Sequence, residues 1–103
     1  MIMILKKAFL IVLLLIYFSG CATTKDTKKT TENLLRSGDD SYNSGQYSEA
    51  IVLYKEVIQL NPEQEKAYAG LGKAYDKVGR YTEAIEAYEQ AIRIILLKSM
   101  DMP

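Results

Sequence analysis

The side chain with the most evident chemistry is the thiol of Cys21, the only cysteine among 103 residues. Cys21 directly follows Ser19 and Gly20, and eleven consecutive apolar residues at 8–18 precede that pair. The sequence contains no histidine. An internal disulfide, a Cys/His metal site and Ser–His or Cys–His catalysis are therefore excluded. We expect no enzyme activity, no catalytic residue, no metal and no dissociable cofactor.

Residues 1–20 have the organisation of a secretory signal peptide. Lys6 and Lys7 precede the apolar run, and small residues follow it, which is the pattern of a cleaved export signal. The alternative is an uncleaved transmembrane helix. Such a helix needs about 20 apolar residues, and the run approaches that length only if residues 19–24 are counted. We predict a signal peptide at 1–20.

The segment Phe18-Ser19-Gly20-Cys21 resembles the bacterial lipobox at its last three positions and departs from it at Phe18, where an aliphatic residue is commoner. The resemblance implies cleavage before Cys21, a diacylglycerol thioether on its sulfur and usually acylation of the new amine. Two or three acyl chains anchor a protein stably where one does not. The alternative for a lone cysteine is a small buried hydrophobe. Ala22 replaces the aspartate that resembles an inner-membrane retention signal, so the implied location is the cell envelope, at the outer membrane in a Gram-negative host.

Residues 21–30 are predicted to be the lipid-bearing cysteine followed by a flexible tether. Residues 22–30 (ATTKDTKKT) have no large apolar side chain, so they bury too little surface to offset the entropy of ordering. Their three lysines can contact anionic lipid or can simply be solvated. After removal of 1–20 the chain has 11 basic and 13 acidic residues. No basic cluster indicates a nucleic-acid partner.

The remaining sequence repeats itself with a period of 34 residues. Residues 45–51 (GQYSEAI) align with 79–85 (GRYTEAI), and over 45–58 seven of fourteen positions are identical. Apolar residues in both copies have the spacing of one helical face: Ala50, Ile51, Tyr54, Val57 and Ile58, then Ala84, Ile85, Tyr88, Ala91 and Ile92. A helical period of 34 indicates a stack of helix–turn–helix units.

Local signals predict the helix ends. Gly45 and Gly79 stand where helices should close in the left-handed conformation, and Ser48 and Thr82 stand where N-caps are expected. The segment Asn61-Pro62-Glu63-Gln64 predicts the start of the third helix, with Asn61 as its N-cap. The small residues Gly38, Gly72, Ala50 and Ala84 are expected where helices cross closely.

Together these residues resemble the tetratricopeptide repeat over 68 of 103 residues, with copies at 31–64 and 65–98. The second copy carries the family pattern at Tyr68, Leu71, Gly72, Tyr75, Gly79, Tyr81, Ala84, Tyr88 and Ala91. The first departs at Ser37 and Ser41, where Tyr42 can substitute for a missing apolar residue. The resemblance implies an all-α fold of two stacked hairpins, a short α-solenoid, with 99–103 as a tail. The alternative is an unrelated pair of helical hairpins.

The resemblance also implies a partner-binding surface, because the first helix of each pair lines a concave face in this family. The candidate residues by position are Asp39, Tyr42, Asn43, Lys73 and Lys77, with Leu35, Lys66, Ala69 and Asp76 beside them. Members that bind chaperone peptides hold a carboxylate with lysines and asparagines. This chain has Asp39 where the first of those residues would act. The alternative for these polar residues is a solvated helix face.

The end of the last helix carries four consecutive apolar residues, Ile94, Ile95, Leu96 and Leu97. Successive helical positions turn by about 100°, so the four cannot all face the preceding helix. Two repeats are also fewer than the three usually needed. We expect this helix to be covered by a partner, by a second copy (a homo-oligomer), by the bilayer or by a repeat missing from a truncated protein.

Two functions are consistent with these features. The first is a membrane-anchored scaffold in the bacterial cell envelope that binds another protein or peptide. The second is an accessory or structural subunit of an envelope assembly, stabilised by its partner and without a peptide groove of its own.

Overall fold

The computed structural model describes residues 24–100. Four helices follow one another in that range: α1 Thr24–Asn43, α2 Tyr47–Leu60, α3 Glu65–Lys77 and α4 Tyr81–Met100. Each helix packs against the next, and α1 also contacts α3, so the predicted all-α stack of two hairpins is confirmed. Among residues 24–100, no helix is long and apolar enough to cross a membrane. The predicted signal peptide 1–20, Cys21 and residues 101–103 lie outside the described residues.

Glycine closes the first helix of each hairpin, as predicted. Gly45 has φ of 80° and Gly79 has φ of 83°, a conformation that residues with a Cβ rarely adopt. Around Gly45, the Gln46 amide donates to the Ser41 carbonyl at 2.8 Å, and the Gly45 amide donates to the Tyr42 carbonyl at 3.0 Å. These two bonds form a Schellman motif. The same pair of bonds recurs around Gly79, so both hairpins turn identically.

The predicted N-caps of the second helices are wrong by two residues. Helices α2 and α4 begin at Tyr47 and Tyr81, which makes Ser48 and Thr82 interior residues of the first turn. The N-cap of α2 is Gln46, whose side chain makes no capping hydrogen bond. The helix begins early because the turn is short. The Gln46 carbonyl already accepts the Ala50 amide at 3.0 Å, which is the first hydrogen bond of α2.

The predicted start of the third helix is also wrong. Asn61 is the C-cap of α2, and α3 begins at Glu65 after the N-cap Gln64. The Asn61 side chain instead accepts the Glu63 amide at 3.1 Å, and its carbonyl accepts the Gln64 amide at 3.2 Å. Asparagine thus closes a tight turn around the proline, and the helix starts only after that turn.

The predicted tether and tail are shorter than expected, because α1 includes residues 24–30 and α4 includes Ser99 and Met100. Extending an existing helix requires no new nucleation. Buried Thr31 anchors the extension of α1: its hydroxyl donates to the Thr27 carbonyl at 2.7 Å, and the Thr30 hydroxyl donates to the Asp26 carbonyl at the same distance. The composition of residues 22–30 predicted a flexible segment because composition takes no account of the helix that follows and extends back to Thr24.

Tyr54 lies at the centre of the packing between the two hairpins. Its side chain is buried, and its ring lies between Gly38 of α1 and Gly70 of α3. A Cβ added at Gly38 would lie 2.8 Å from the ring, and one added at Gly70 would lie 2.5 Å from it. Gly72 faces the Tyr88 ring in the same way, at 2.8 Å. The predicted close crossings at Gly38 and Gly72 are confirmed, and Gly70 is a third that the sequence did not indicate.

The contact between Gly70 and Tyr54 predicts that Gly70→Ala destabilises the protein, although glycine to alanine usually stabilises a helix. Glycine to alanine within a helix ordinarily stabilises by about 1 kcal/mol. Here the new methyl group would overlap a ring that Gly38 holds from the other side. We expect Gly70→Ala to lower the free energy of unfolding by about 1–3 kcal/mol, measured by denaturation followed by circular dichroism. Ser37→Ala, at an exposed position of α1, is the control and should not destabilise. An equal or higher stability of Gly70→Ala would contradict the packing.

Candidate functional site

A groove lies between α1 and α3, with Tyr54 of α2 at its base. Its volume is about 400 Å³, and its lining residues are Asp39, Tyr42, Asn43, Tyr54, Lys66, Ala69, Gly70 and Lys73. The two lysines lie two helical turns apart on α3, whereas Asp39 and Asn43 lie one turn apart on α1. The α3 wall is therefore cationic, and the α1 wall carries a carboxylate and an amide. Such a groove fits a polar peptide segment that carries charges of both signs.

The anionic wall is tied to the core by one short hydrogen bond. The Tyr54 hydroxyl donates to Asp39 Oδ1 at 2.5 Å. Burial, and then this bond to a carboxylate, raise the pKa of Tyr54 above its ordinary value of 10.0. The bond satisfies the only polar atom of the buried side chain and fixes the Asp39 carboxylate at the base of the groove.

The structure brings together four of the five candidate groove residues. Asp39, Tyr42, Asn43 and Lys73 all line the groove, whereas Lys77 is exposed one turn beyond Lys73 and lies outside the lining. Tyr42 also packs edge-on against Tyr47, with ring centroids 5.3 Å apart. The expected substitution of Tyr42 for a missing apolar residue is consistent with this contact.

Two neighbours of the candidate set have other positions. Leu35, expected on the concave face, is half-buried and packs against the hydrophobic core. Asp76 is exposed and outside the groove lining. Tyr54 had been assigned to the core alone. The sequence did contain a signal for its second role, since the Tyr54 hydroxyl lies on an apolar helical face and a buried tyrosine normally requires a polar partner.

A second surface is the outer face of α4, defined here by Tyr81, Ile85, Tyr88, Ile92, Ile95 and Leu96. All six side chains are exposed, from 36% at Tyr88 to 64% at Tyr81. Leu97 is exposed on another side of the helix and Ile94 is half-buried. The prediction that residues 94–97 cannot all face the preceding helix is confirmed, since three of the four are exposed. A shallow cavity of about 290 Å³ on this face is lined by Ile92 and Leu96 with Glu89 and Arg93.

Comparison with known families agrees with this geometry. A family model described as TPR repeat matches residues 38–79, and a second, described as tetratricopeptide repeat, matches residues 65–95. Together they cover residues 38–95, from the last residues of α1 into α4, and include the Tyr54 contact. The chain is a tetratricopeptide-repeat protein. No curated protein sequence matches it. Repeats of this kind generally mediate contacts between proteins. Among residues 24–100 of this tetratricopeptide-repeat protein, no group of three or more aspartate, glutamate or cysteine side chains is placed to hold a metal ion.

Burial of Tyr54, together with its bond to Asp39, raises the pKa of this tyrosine and makes the stability of the tetratricopeptide-repeat domain fall at alkaline pH. Because the folded state holds the Tyr54 proton more tightly than the unfolded chain, this contribution is complete below pH 10.0 and is lost as pH rises above it. One proton changes the free energy of unfolding by up to about 1.4 kcal/mol per pH unit. We expect Tyr54→Phe to be about 1–3 kcal/mol less stable at neutral pH and to lose less stability above pH 10.0.

The control for this prediction is Tyr81→Phe, because the Tyr81 side chain is 64% exposed. Tyr88, whose pKa burial also raises, contributes equally in all three proteins. Denaturation curves between neutral and alkaline pH measure the effect. Parallel pH profiles for Tyr54→Phe and the unmodified protein would contradict it.

Proposed function

We propose that this tetratricopeptide-repeat protein is a non-catalytic lipoprotein of the bacterial cell envelope, anchored through Cys21, whose groove holds a segment of another protein. The groove between α1 and α3 is the observation that carries this proposal. Its side chains present exposed polar groups around a rigid base, and a rigid base lowers the entropic cost of binding.

The chemistry of the groove favours a peptide segment that carries an acidic residue and a hydrogen-bond donor. Lys66 and Lys73 can pair with a carboxylate of the partner. On the opposite wall, Asp39 already accepts the Tyr54 hydroxyl and has a second oxygen for a donor, and Asn43 offers both a donor and an acceptor. The aromatic ring of Tyr42 supplies apolar contact between the two walls.

The proposed anchor rests on the sequence around Cys21. The signal-like segment 1–20 and the Ser19-Gly20-Cys21 motif support acylation of Cys21, and the absence of aspartate at position 22 favours the outer membrane in a Gram-negative host. The proposal therefore places the groove at a membrane surface, joined to it by the residues between Cys21 and α1.

An accessory subunit that is stabilised by its partner is the second candidate function. The observation that favours it is the outer face of α4, with six exposed apolar side chains on one helix. Isolated exposed apolar residues are common, but a contiguous patch marks an interaction site. Under this candidate α4, and not the groove, makes the essential contact.

The anchor predicts a specific result for Cys21. Growth of the producing bacterium with a labelled fatty acid should label the protein, and Cys21→Ser should abolish both the label and the shift to the mature size, because the thiol is the attachment point. Ser19→Ala, which keeps a small residue, is the control and should be labelled normally. Normal processing of Cys21→Ser would overturn the anchor.

The groove predicts a directional cross-link in intact membranes. A photoreactive residue at Asn43, which is exposed in the groove, should capture a protein partner, and the same residue at Glu56, which is exposed on α2 outside the groove, should not. Lys73→Glu should weaken capture at Asn43, since it removes one cation from the groove wall. The matched control is Lys77→Glu, one turn further along α3 and outside the lining. Equal capture at Asn43 and Glu56, or equal effects of the two lysine variants, would contradict the groove.

A further inference from the structure

The two hairpins carry the same residues on their second helices, but among residues 24–100 only one of these helices is covered. Tyr47, Ile51, Tyr54 and Ile58 of α2 correspond at the 34-residue period to Tyr81, Ile85, Tyr88 and Ile92 of α4. The α2 residues are buried or half-buried. Ile51 is 7% exposed and its counterpart Ile85 is 58% exposed. The outer face of α4 is therefore a second copy of a surface that, on α2, lies against a helix.

Helix α3, which packs against α2, shows which side chains fit such a surface. Helix α3 places Gly70 directly against the Tyr54 ring. The same side of α3 also carries Ala67, Leu71 and Ala74, at helical spacing, and all four residues are buried. A bulky stripe of tyrosine and isoleucine thus receives small side chains and one leucine. A larger residue at the position of Gly70 would overlap the ring.

Within residues 24–100, a second copy of this chain lacks that pattern on the helix α1 that it exposes. The positions of α1 that correspond to Ala67, Gly70, Leu71 and Ala74 are Asn33, Arg36, Ser37 and Asp40, and all four are exposed. Docking them on α4 would bury an arginine and an aspartate against apolar side chains, which is costly. Two α4 faces would oppose bulky side chains to bulky side chains and offer no cleft for the tyrosines.

We propose that the outer face of α4 docks an amphipathic helix of a partner protein, one that sets glycine or alanine against Tyr88 as α3 sets Gly70 against Tyr54. The partner helix repeats the α3 pattern, with small residues at positions i, i+3 and i+7 and leucine at i+4. Glu89 and Arg93 border the apolar stripe and can pair with charges at the edge of the partner helix. The surface shares no residue with the groove between α1 and α3, so the two interactions are independent.

The probe is a peptide with the sequence of residues 64–79. A Lys77→Glu change in the peptide allows a side-chain lactam between the Lys73 amine and the new carboxyl group at position 77, both positions being exposed in α3, and this bridge keeps the peptide helical. The full chain, in detergent, carries photoreactive p-benzoylphenylalanine at position 92. We expect the peptide to cross-link there. A peptide with Gly70→Leu should cross-link about tenfold less, because a tenfold loss is equivalent to about 1.4 kcal/mol and overpacking commonly costs that much. A peptide with Lys66→Leu, changed at an exposed position, should cross-link like the original.

Matched variants of the full chain assign the cross-link to this face. Ile85→Glu should abolish it, and Val52→Glu should leave it unchanged. Both side chains are exposed to a similar extent, 58% and 56%, but Val52 lies outside the α2 stripe. Melting curves should be the same for both variants, which separates loss of docking from unfolding.

Three results would overturn the proposal. The first is the absence of a peptide cross-link at position 92, and the second is an equal cross-link for the Gly70→Leu peptide. The third is a cross-linked dimer of the full chain at position 92 that the peptide does not reduce, since the occupant would then be a second copy. Because none of these experiments uses a groove residue of the full chain, failure here leaves the Asn43 cross-link as a separate test of the groove.

Discussion

The architecture depends on one aromatic ring held between two glycines. Tyr54 lies between Gly38 and Gly70, so a single side chain fixes how closely α1 and α3 approach α2. Its hydroxyl holds Asp39 at 2.5 Å, which couples the core to the wall of the groove. Protein interiors are close-packed and transmit strain. The width of the groove is therefore set by the same contact that joins the two hairpins, and stability and binding geometry cannot be varied independently at this residue.

Each end of the stack has a different surface although the repeats are alike. Helix α1 presents Asn33, Arg36 and Asp40 where α3 presents small apolar residues, so the first hairpin begins with a face that water can cover. The last hairpin ends with the exposed stripe of α4. In a repeat stack each unit contacts only its neighbours, and a terminal unit normally has a polar outer face. Within residues 24–100 the stack thus has a direction, with a polar face on α1 and an exposed apolar face on α4.

Much of the fold follows from local sequence. The helical spacing of the apolar residues and the two glycines at positive φ depend on neighbours within a few residues, and both appear as predicted. The 34-residue period places them at matching positions in the two hairpins. The helix starts were predicted less well. Ser48, Thr82 and Asn61 have good capping chemistry, but the Schellman turns and the Asn61 turn already use the backbone groups that those caps would satisfy. The predicted caps and the turns compete for the same backbone groups, and the turns prevail because their hydrogen bonds can all form at once.

The sequence by itself determined the helical hairpins and the spacing of their apolar faces, and its resemblance to the repeat family predicted the groove residues Asp39, Tyr42, Asn43 and Lys73. Only the tertiary structure decided which of two identical stripes is covered, that Lys77 lies beyond the groove, that α1 begins at Thr24 and that Gly70 receives Tyr54. The physical reason is that periodicity specifies the direction of a side chain around its own helix. Burial depends on what lies opposite, and for Ile51 and Ile85 the same residue type in the same pattern has a neighbouring helix in one case and none among residues 24–100 in the other.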